Sequence, residues 1–402
     1  MFTRLRPRNG NAASSDNVVA NRNPSKGPVK RQNILSEKEE PKAKRPAITD
    51  VTNGVSNLGI DSSKKSLLLQ PKKIVSGARR SFGRHILSTV GNQAYKKSKE
   101  AAKTAPASPD PCPGFDFDKE NAKDINAVAD YAFDIFRYYK IRESKFRVTD
   151  YTSRQPECSK KRRACIVDWM VEVQETFEMK HETLYSAVKL FDTYMSKTKE
   201  RVTKDDLQKI ACSALFIASK YDEQFPPLID DIIHICGNAF DREEFCAMER
   251  VMFRDVGFDI GMPLSYRFQR RYAKVAQVEM EDLTLARFIL ETSLMFSEYI
   301  AVPESLMAAA SFLLTLRMKN LGDWTPALHK YSGYKLEEVE PLMWSLNHMM
   351  RCKSTIYPDF KFIHEKYSHR VFFEVAAVPF LQGGKALSEP VGPPATLLKK
   401  QI

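Results

Sequence analysis

The sequence predicts an all-α protein, with two tandem helical bundles behind a disordered basic tail. Three observations carry this reading. Apolar residues recur every three or four positions almost without a break from about residue 125 to 366. No stretch alternates with period two, so no strand is expected. Two helices that are apolar nearly all round recur roughly 95 residues apart, each followed by an amphipathic helix opening on Glu-Glu.

Residues 1–115 are the tail. The first 110 residues hold 22 basic against 8 acidic side chains, and only three of the chain's aromatics (Phe2, Phe82, Tyr95). So few large apolar groups cannot offset the entropy lost on ordering, so this segment is predicted to be disordered. The rest of the chain carries 40 basic and 42 acidic groups, so the net charge of +12 belongs to the tail. Residues 116–258 form an N-terminal helix and the first bundle. Val128, Tyr131, Ala132, Ile135, Phe136 and Tyr139 give the helix its apolar face, and Ile166, Trp169, Met170, Val173 and Phe177 make the next stripe. KIACSALFIASKY (209–221) is the first central helix, and EEFCAMERVMFRDVGF (243–258) packs after it. Pro226-Pro227 and Gly261-Met262-Pro263 punctuate the run. Residues 259–370 repeat the plan with SLMAAASFLLTLRM (305–318) and EEVEPLMWSLNHMM (337–350). From 371 to 402, Gly383-Gly384 and Pro390, Pro393 and Pro394 predict a flexible tail.

Composition and motifs exclude most chemistry. The seven cysteines (112, 158, 165, 212, 236, 246, 352) include no C-x-x-C pair, so neither a disulfide framework nor a zinc ribbon is expected, and a reducing compartment fits. The opening MFTRLRPRNG lacks an apolar core, and Leu306–Leu316 is too short to span a bilayer, so neither a secretory signal nor a membrane association is expected. There is no P-loop, dinucleotide turn, H-E-x-x-H or G-x-S-x-G, and the histidines are scattered. The expectation is a non-catalytic recognition module with no cofactor and no metal.

RRACIVDWMVEV (162–173), LYSAVKLFDTYM (184–195), LQKIACSALFIASKYDE (207–223) and MERVMFRDVGFDIGMP (248–263) resemble the cyclin box in order, spacing and content. The likeness continues through the second repeat. DFDKEN (116–121) and VQETFEMKHETLYSAVKL (173–190) are most similar to the mitotic B-type members, subtype three above all. The resemblance implies two tandem five-helix cyclin-box bundles that bind and activate a mitotic cyclin-dependent kinase. It assigns the kinase contact to Lys220 and Glu249, with Tyr221 and Phe258 as its apolar part. Residue by residue, a solvated Glu and a snorkelling Lys would read the same way.

The resemblance also implies that Arg163 and Asp192 tie two box helices together. It places a docking groove for substrates and inhibitors bearing Arg-x-Leu at Arg162, Cys165, Ile166, Trp169, Glu172, Leu207 and Gln208. There Arg162 stands where Met is usual and Cys165 where Ile is usual. A cation should repel a basic peptide, and the smaller side chain removes apolar area. Core packing of Trp169 is the alternative. A phosphate pocket would fall at Arg270 and Arg287, with Leu283 in place of a His; solvated helix charges are the alternative.

The tail carries degradation signals in form. RPAITDVTN (45–53) resembles a destruction box, with Arg45, Ile48 and Asn53 at its key positions; RHILSTVGN (84–92), with Arg84, Leu87 and Asn92, is a second candidate. Lys119-Glu120-Asn121 is a KEN signal. These imply an anaphase-promoting ubiquitin ligase as partner. Basic clusters at Lys42, Lys44, Arg45 and at Lys72, Lys73, Arg79, Arg80 suggest nuclear import, and Ser108-Pro109 is a candidate phosphosite. A competing reading is a cyclin-fold transcription factor that binds nucleic acid through the basic arm. The folded part has no basic recognition face, so direct nucleic-acid binding is not expected.

Overall fold

A computed structural model describes residues 109–399, and all regular elements among them are helical. The first element among the described residues is a helical turn, Phe117–Glu120, followed by α1 (Ala129–Arg142). The first bundle comprises α2 (Lys160–Thr176), α3 (His181–Lys197), α4 (Asp206–Asp222), α5 (Ile229–Ile235) and α6 (Arg242–Asp255). The second comprises α7 (Ser265–Ala276), α8 (Met280–Ser293), α9 (Glu304–Met318), α10 (Pro326–Ser332) and α11 (Leu336–Ile356). A short α12 (Phe362–Tyr367) follows.

The two helices predicted to be central are α4 and α9. Every residue from Ile210 to Ser219, and from Ser305 to Leu316, is buried. Small side chains at Ala211, Ala214 and Ala218, and at Ala308, Ala309 and Ala310, let neighbouring helices approach closely. Two of the hydroxyls that accompany them are satisfied within their own helix: Ser213 donates to the Lys209 carbonyl at 2.9 Å and Thr315 to the Ser311 carbonyl at 3.2 Å. Asp241 and Glu244 form a reciprocal capping box that starts α6, and Gly257, at φ +88°, ends the turn after it.

The face expected on the N-terminal helix is only partly buried. Ala132 is covered and Ile135, Phe136 and Tyr139 are half-buried, but Val128 and Tyr131 face solvent. Helix α1 rests on the second bundle along one edge, where the buried Glu143 accepts the Ser305 backbone N–H at 2.9 Å and its hydroxyl at 2.6 Å. A carboxylate there satisfies a first-turn donor of α9 and complements its dipole.

The seven cysteines are free thiols. Cys212 and Cys236 touch across α4 and the end of α5, sulfur to sulfur at 2.7 Å. Among the described residues no group of three or more side chains has metal-ligating geometry, and no helix is long and apolar enough to cross a membrane.

Residues 371–399 depart from the expected flexible tail. Val375 is buried, and Phe380, Leu381 and Val391 pack against the core. Side chains of α11 bond the segment's backbone: Asn347 exchanges two hydrogen bonds with Leu381 at 3.0 and 3.1 Å, Ser345 donates to Gly392 at 2.6 Å, and Arg351 donates to Gly383 at 2.8 Å. Between residues 378 and 394 the glycines and prolines interrupt regular structure without freeing the segment, because its backbone groups find partners outside it.

The two bundles are joined by buried polar contacts. Arg163 on α2 grips Asp192 on α3 in a bidentate pair at 2.8 and 2.6 Å, and its remaining nitrogen donates to the Leu294 carbonyl at the end of α8, at 2.8 Å. Tyr151, wholly buried, donates to the same carboxylate at 2.7 Å. Burial opposes the charge on Arg163, but the Asp192 carboxylate outweighs it and holds the guanidinium pKa above its ordinary value. Lys189 on α3 pairs with Glu304, the first residue of α9, at 2.8 Å. Helix α12 crosses back onto α2, where Asp168 accepts the backbone N–H groups of Phe362 and Ile363, both at 3.4 Å.

Asp192→Ala leaves Arg163 buried without its carboxylate. It is expected to lower the unfolding free energy by about 3–5 kcal/mol, measured as a shift in the urea midpoint at constant m-value.

Candidate functional site

Lys220 lies in the last turn of α4 and Glu249 in the middle of α6, and the structure brings them into a direct ion pair with each other. The Lys220 ammonium also sits 4.3 Å from the Phe216 ring centroid. Both charged groups are partly exposed, and an exposed pair is worth roughly 0–1 kcal/mol. The pair can therefore be remade around a third group at little cost.

Apolar side chains stand in solvent around this pair. Tyr221 is 55% exposed and Phe258 64%. Phe258 has φ +60°, a backbone region costly for a bulky residue, and its ring meets Phe253 edge-on at 5.2 Å. Its neighbour Asp259 is held by Arg142 at 2.5 Å and Lys145 at 2.6 Å. Arg142 also donates to the Gly261 carbonyl at 2.9 Å. Gly261 is packed closely enough that a Cβ would lie 3.2 Å from Arg142 Nη2 and 3.8 Å from Tyr221 Oη. These contacts staple the end of α1 beside Tyr221.

The residue-level reading missed other exposed apolar side chains on the segments next to this surface. Phe225, 91% exposed, and Leu228 flank the Pro226-Pro227 turn; Tyr138 and Ile141 lie on α1. The signal was present in the first case, since a double proline marks a turn and turns run over the surface, which makes the large apolar residues beside it candidates for exposure. It was absent in the second, because α1 is apolar on more than one side and periodicity does not say which side is covered.

The positions assigned to a docking groove are only partly a surface. Ile166 and Leu207 are buried and serve as core; Cys165, Trp169, Glu172, Arg162 and Gln208 are half-buried. The expected repulsion from Arg162 is blunted. Its guanidinium folds back onto Glu157, bonding the carboxylate at 2.9 Å and the carbonyl at 2.7 Å. What remains of the departure at this face is the smaller Cys165.

Arg270 and Arg287 do come together, over the Tyr266 ring at 5.8 and 5.5 Å from its centroid. Each has a partner already: Arg270 faces Glu182 at 3.5 Å, and Arg287 reaches His181 Nε2 at 3.0 Å. Leu283 is half-buried against the core. Behind them lies a buried network between the bundles. Glu291 on α8 pairs with Lys366 at 2.7 Å and accepts from Tyr367 at 2.8 Å, and Lys366 also donates to Gln174 on α2 at 2.8 Å. His181 Nδ1 lies 3.6 Å from the same carboxylate. Burial pushes His181 down to about 4, with Glu291 opposing and Lys366 and Arg287 reinforcing the shift. Burial would raise Glu291, but the Lys366 charge and the His181 contact outweigh it and hold it at about 2.

Lys119-Glu120-Asn121 occupies the helical turn before α1, with Asn121 as its C-cap. Both destruction-box candidates, both basic clusters and Ser108 lie outside the described residues.

The family profile for "Cyclin, N-terminal domain" matches residues 134–261, and that for "Cyclin, C-terminal domain" matches residues 263–381. The chain is 45% identical over 353 residues to the G2/mitotic-specific cyclin-B3 of Caenorhabditis elegans, covering 86% of each chain. It is 42% identical over 381 residues to that of Gallus gallus, covering 88% of this chain and 92% of the relative. Against that of Drosophila melanogaster the identity is 46% over 274 residues, 66% of this chain and 47% of the relative.

The network between the bundles makes stability pH-dependent with a definite sign. His181 is depressed from 6.5 to about 4, so the unfolded chain takes up that proton first. Its contribution is complete above pH 6.5 and is lost as pH falls toward 4. Glu291, depressed from 4.5 to about 2, adds a second loss below pH 4.5. His181→Phe, which retains stacking on Tyr266, is expected to flatten the upper part of the stability profile and to reduce, without removing, the lower part, because Lys366 still holds Glu291 down after the His181 contact is lost, as read by thermal unfolding across pH.

Proposed function

The chain belongs to the cyclin family, and on that premise we propose that it is the regulatory subunit of a mitotic cyclin-dependent kinase, binding and activating the kinase and catalysing nothing itself. The observation that carries this is the solvent-facing pair of aromatics Tyr221 and Phe258, on the same segments as the Lys220–Glu249 pair. Exposed aromatics beside a charge pair are the composition of an interface centre: apolar area to bury, with charges that fix register. The surface is also rigid, because α4 and α6 belong to a packed bundle and Asp259 is clamped by Arg142 and Lys145. A rigid face can hold a kinase's movable regulatory helix inward, so that the kinase's own Lys–Glu pair forms and its activation loop opens.

Nuclear residence through the basic clusters and removal by an anaphase-promoting ubiquitin ligase through the tail belong to the same reading. So does docking of Arg-x-Leu peptides over Trp169 and Cys165. The charge division between tail and folded part favours this reading over nucleic-acid binding, since the folded part is slightly acidic.

Kinase binding is the first test. Lys220→Glu and Glu249→Lys are each expected to weaken binding by roughly 2–4 kcal/mol, with unchanged unfolding midpoints. The double exchange restores an internal pair with its polarity reversed, and binding should stay lost if the kinase reads those charges. Full-strength binding by a folded Lys220→Glu protein would overturn the assignment.

Degradation is the second test. Arg45→Ala with Ile48→Ala is expected to lengthen the half-life in mitotic extract while leaving kinase binding intact. Stabilisation by Arg84→Ala with Leu87→Ala alone would transfer the role to the second box. No stabilisation by either pair would remove the tail from the degradation reading.

A further inference from the structure

The Lys119-Glu120-Asn121 signal sits in an unusual setting for a recognition motif. Such a motif is read from a chain that can present its side chains to a receptor's pockets. Here the residues just before it are anchored to the second bundle. Phe117 is buried and its backbone N–H donates to the Tyr331 hydroxyl at 2.8 Å. Asp118 is also buried, in a bidentate pair with Arg271 on α7 at 2.5 Å. The Arg271 guanidinium in turn lies 5.4, 5.1 and 5.0 Å from the ring centroids of Phe117, Phe136 and Tyr331. Toward the N-terminus, Lys330 on α10 pairs with Asp110 at 2.7 Å and donates to the Phe115 carbonyl at 2.8 Å.

The motif's own groups are engaged as well. The Asn121 side-chain amide donates to the Phe117 carbonyl at 2.8 Å, and its backbone N–H points to the carbonyls of Phe117 and Asp118. Lys119 and Glu120 are exposed, but they leave a tight helical turn in different directions. Laying the three side chains out along an extended strip would require the turn to unwind. That would break the Asn121 bonds and pull on Asp118.

We propose that residues 110–121 form a latch that withholds the Lys-Glu-Asn signal from the ubiquitin ligase while Phe117 and Asp118 are seated on the second bundle. The proposal rests on the degradation reading above and adds a conformational gate to it. The outer Asp110–Lys330 pair is partly exposed and the inner Asp118–Arg271 pair is buried, so opening runs from the N-terminal end inward.

The test uses the full chain with both destruction-box candidates disabled (Arg45→Ala, Ile48→Ala, Arg84→Ala, Leu87→Ala), so that the gated signal is isolated. Three versions are compared for ubiquitin conjugation by the purified ligase: latch intact, Asp118→Ala, and Asp118→Ala with Lys119, Glu120 and Asn121 all changed to Ala. Hydrogen exchange of the 117–121 amides reports the latch itself. Asp118→Ala should speed that exchange on the order of tenfold or more, since it strands Arg271. It should also raise conjugation several-fold, and the triple alanine change should abolish the gain. Freed amides without faster conjugation would overturn the proposal, as would a gain that survives the triple change. If exchange stays slow even in Phe117→Ala with Asp118→Ala, the segment is not a separable latch and the proposal falls. A chain with its boxes restored that is never conjugated would instead overturn the degradation reading. Kinase binding measured on the same proteins tests the activator role independently.

Discussion

Four separate parts of the chain converge on the Arg163 guanidinium and the carboxylate it holds. Arg163 comes from α2, Asp192 from α3, Tyr151 from the segment before the first bundle, and the Leu294 carbonyl from the end of α8. Two of the four are first-bundle elements, the third leads into that bundle and the fourth belongs to the second, so one planar cation sets both the register of α2 on α3 and the seating of the bundles. A lysine could not do this, because a point charge has no fork to divide among a carboxylate and a carbonyl. Such a pair adds little net stability compared with a well-packed apolar substitute. Its contribution is to admit only one arrangement, since any slip of α2 would leave a buried charge unanswered.

The rest of the interface repeats this logic. Lys189 with Glu304, Asp168 with the first turn of α12, and Gln174 with Lys366 each join a polar side chain of the first bundle to the second bundle or to the α12 that follows it. Apolar burial supplies the drive for association, and these contacts choose among the ways of associating.

The α4 and α9 helices were legible in the sequence because a helix apolar on all sides has one structural solution, enclosure by other helices. Lys220 and Glu249 could be singled out only through the spacing of the surrounding box, since as isolated residues they resemble any solvated helix charges. The segment from 371 onward was misread because glycine and proline report the lack of local structure, whereas its order comes from Asn347, Ser345 and Arg351 on α11. The Asp118–Arg271 pair spans more than 150 residues, a separation at which no periodicity connects the partners. The partner of Arg162 was not legible for a different reason. The Arg162 charge was visible, but the Glu157 that answers it lies in the irregular segment before α2, where sequence pattern does not fix direction.

Phe258 has a consequence for the thermodynamics of association. An exposed aromatic on a mobile loop must be immobilised when a partner arrives, and ordering a side chain and its backbone subtracts from the affinity its area would give. Here the left-handed turn after Gly257, the edge contact with Phe253 and the clamp on Asp259 have already fixed the ring's position in the free chain. The entropy of that residue is spent during folding, so in the kinase complex proposed above its full contact area would count toward affinity. Related chains that differ at this turn should then differ chiefly in how long a complex lasts, with the rate of first encounter little changed.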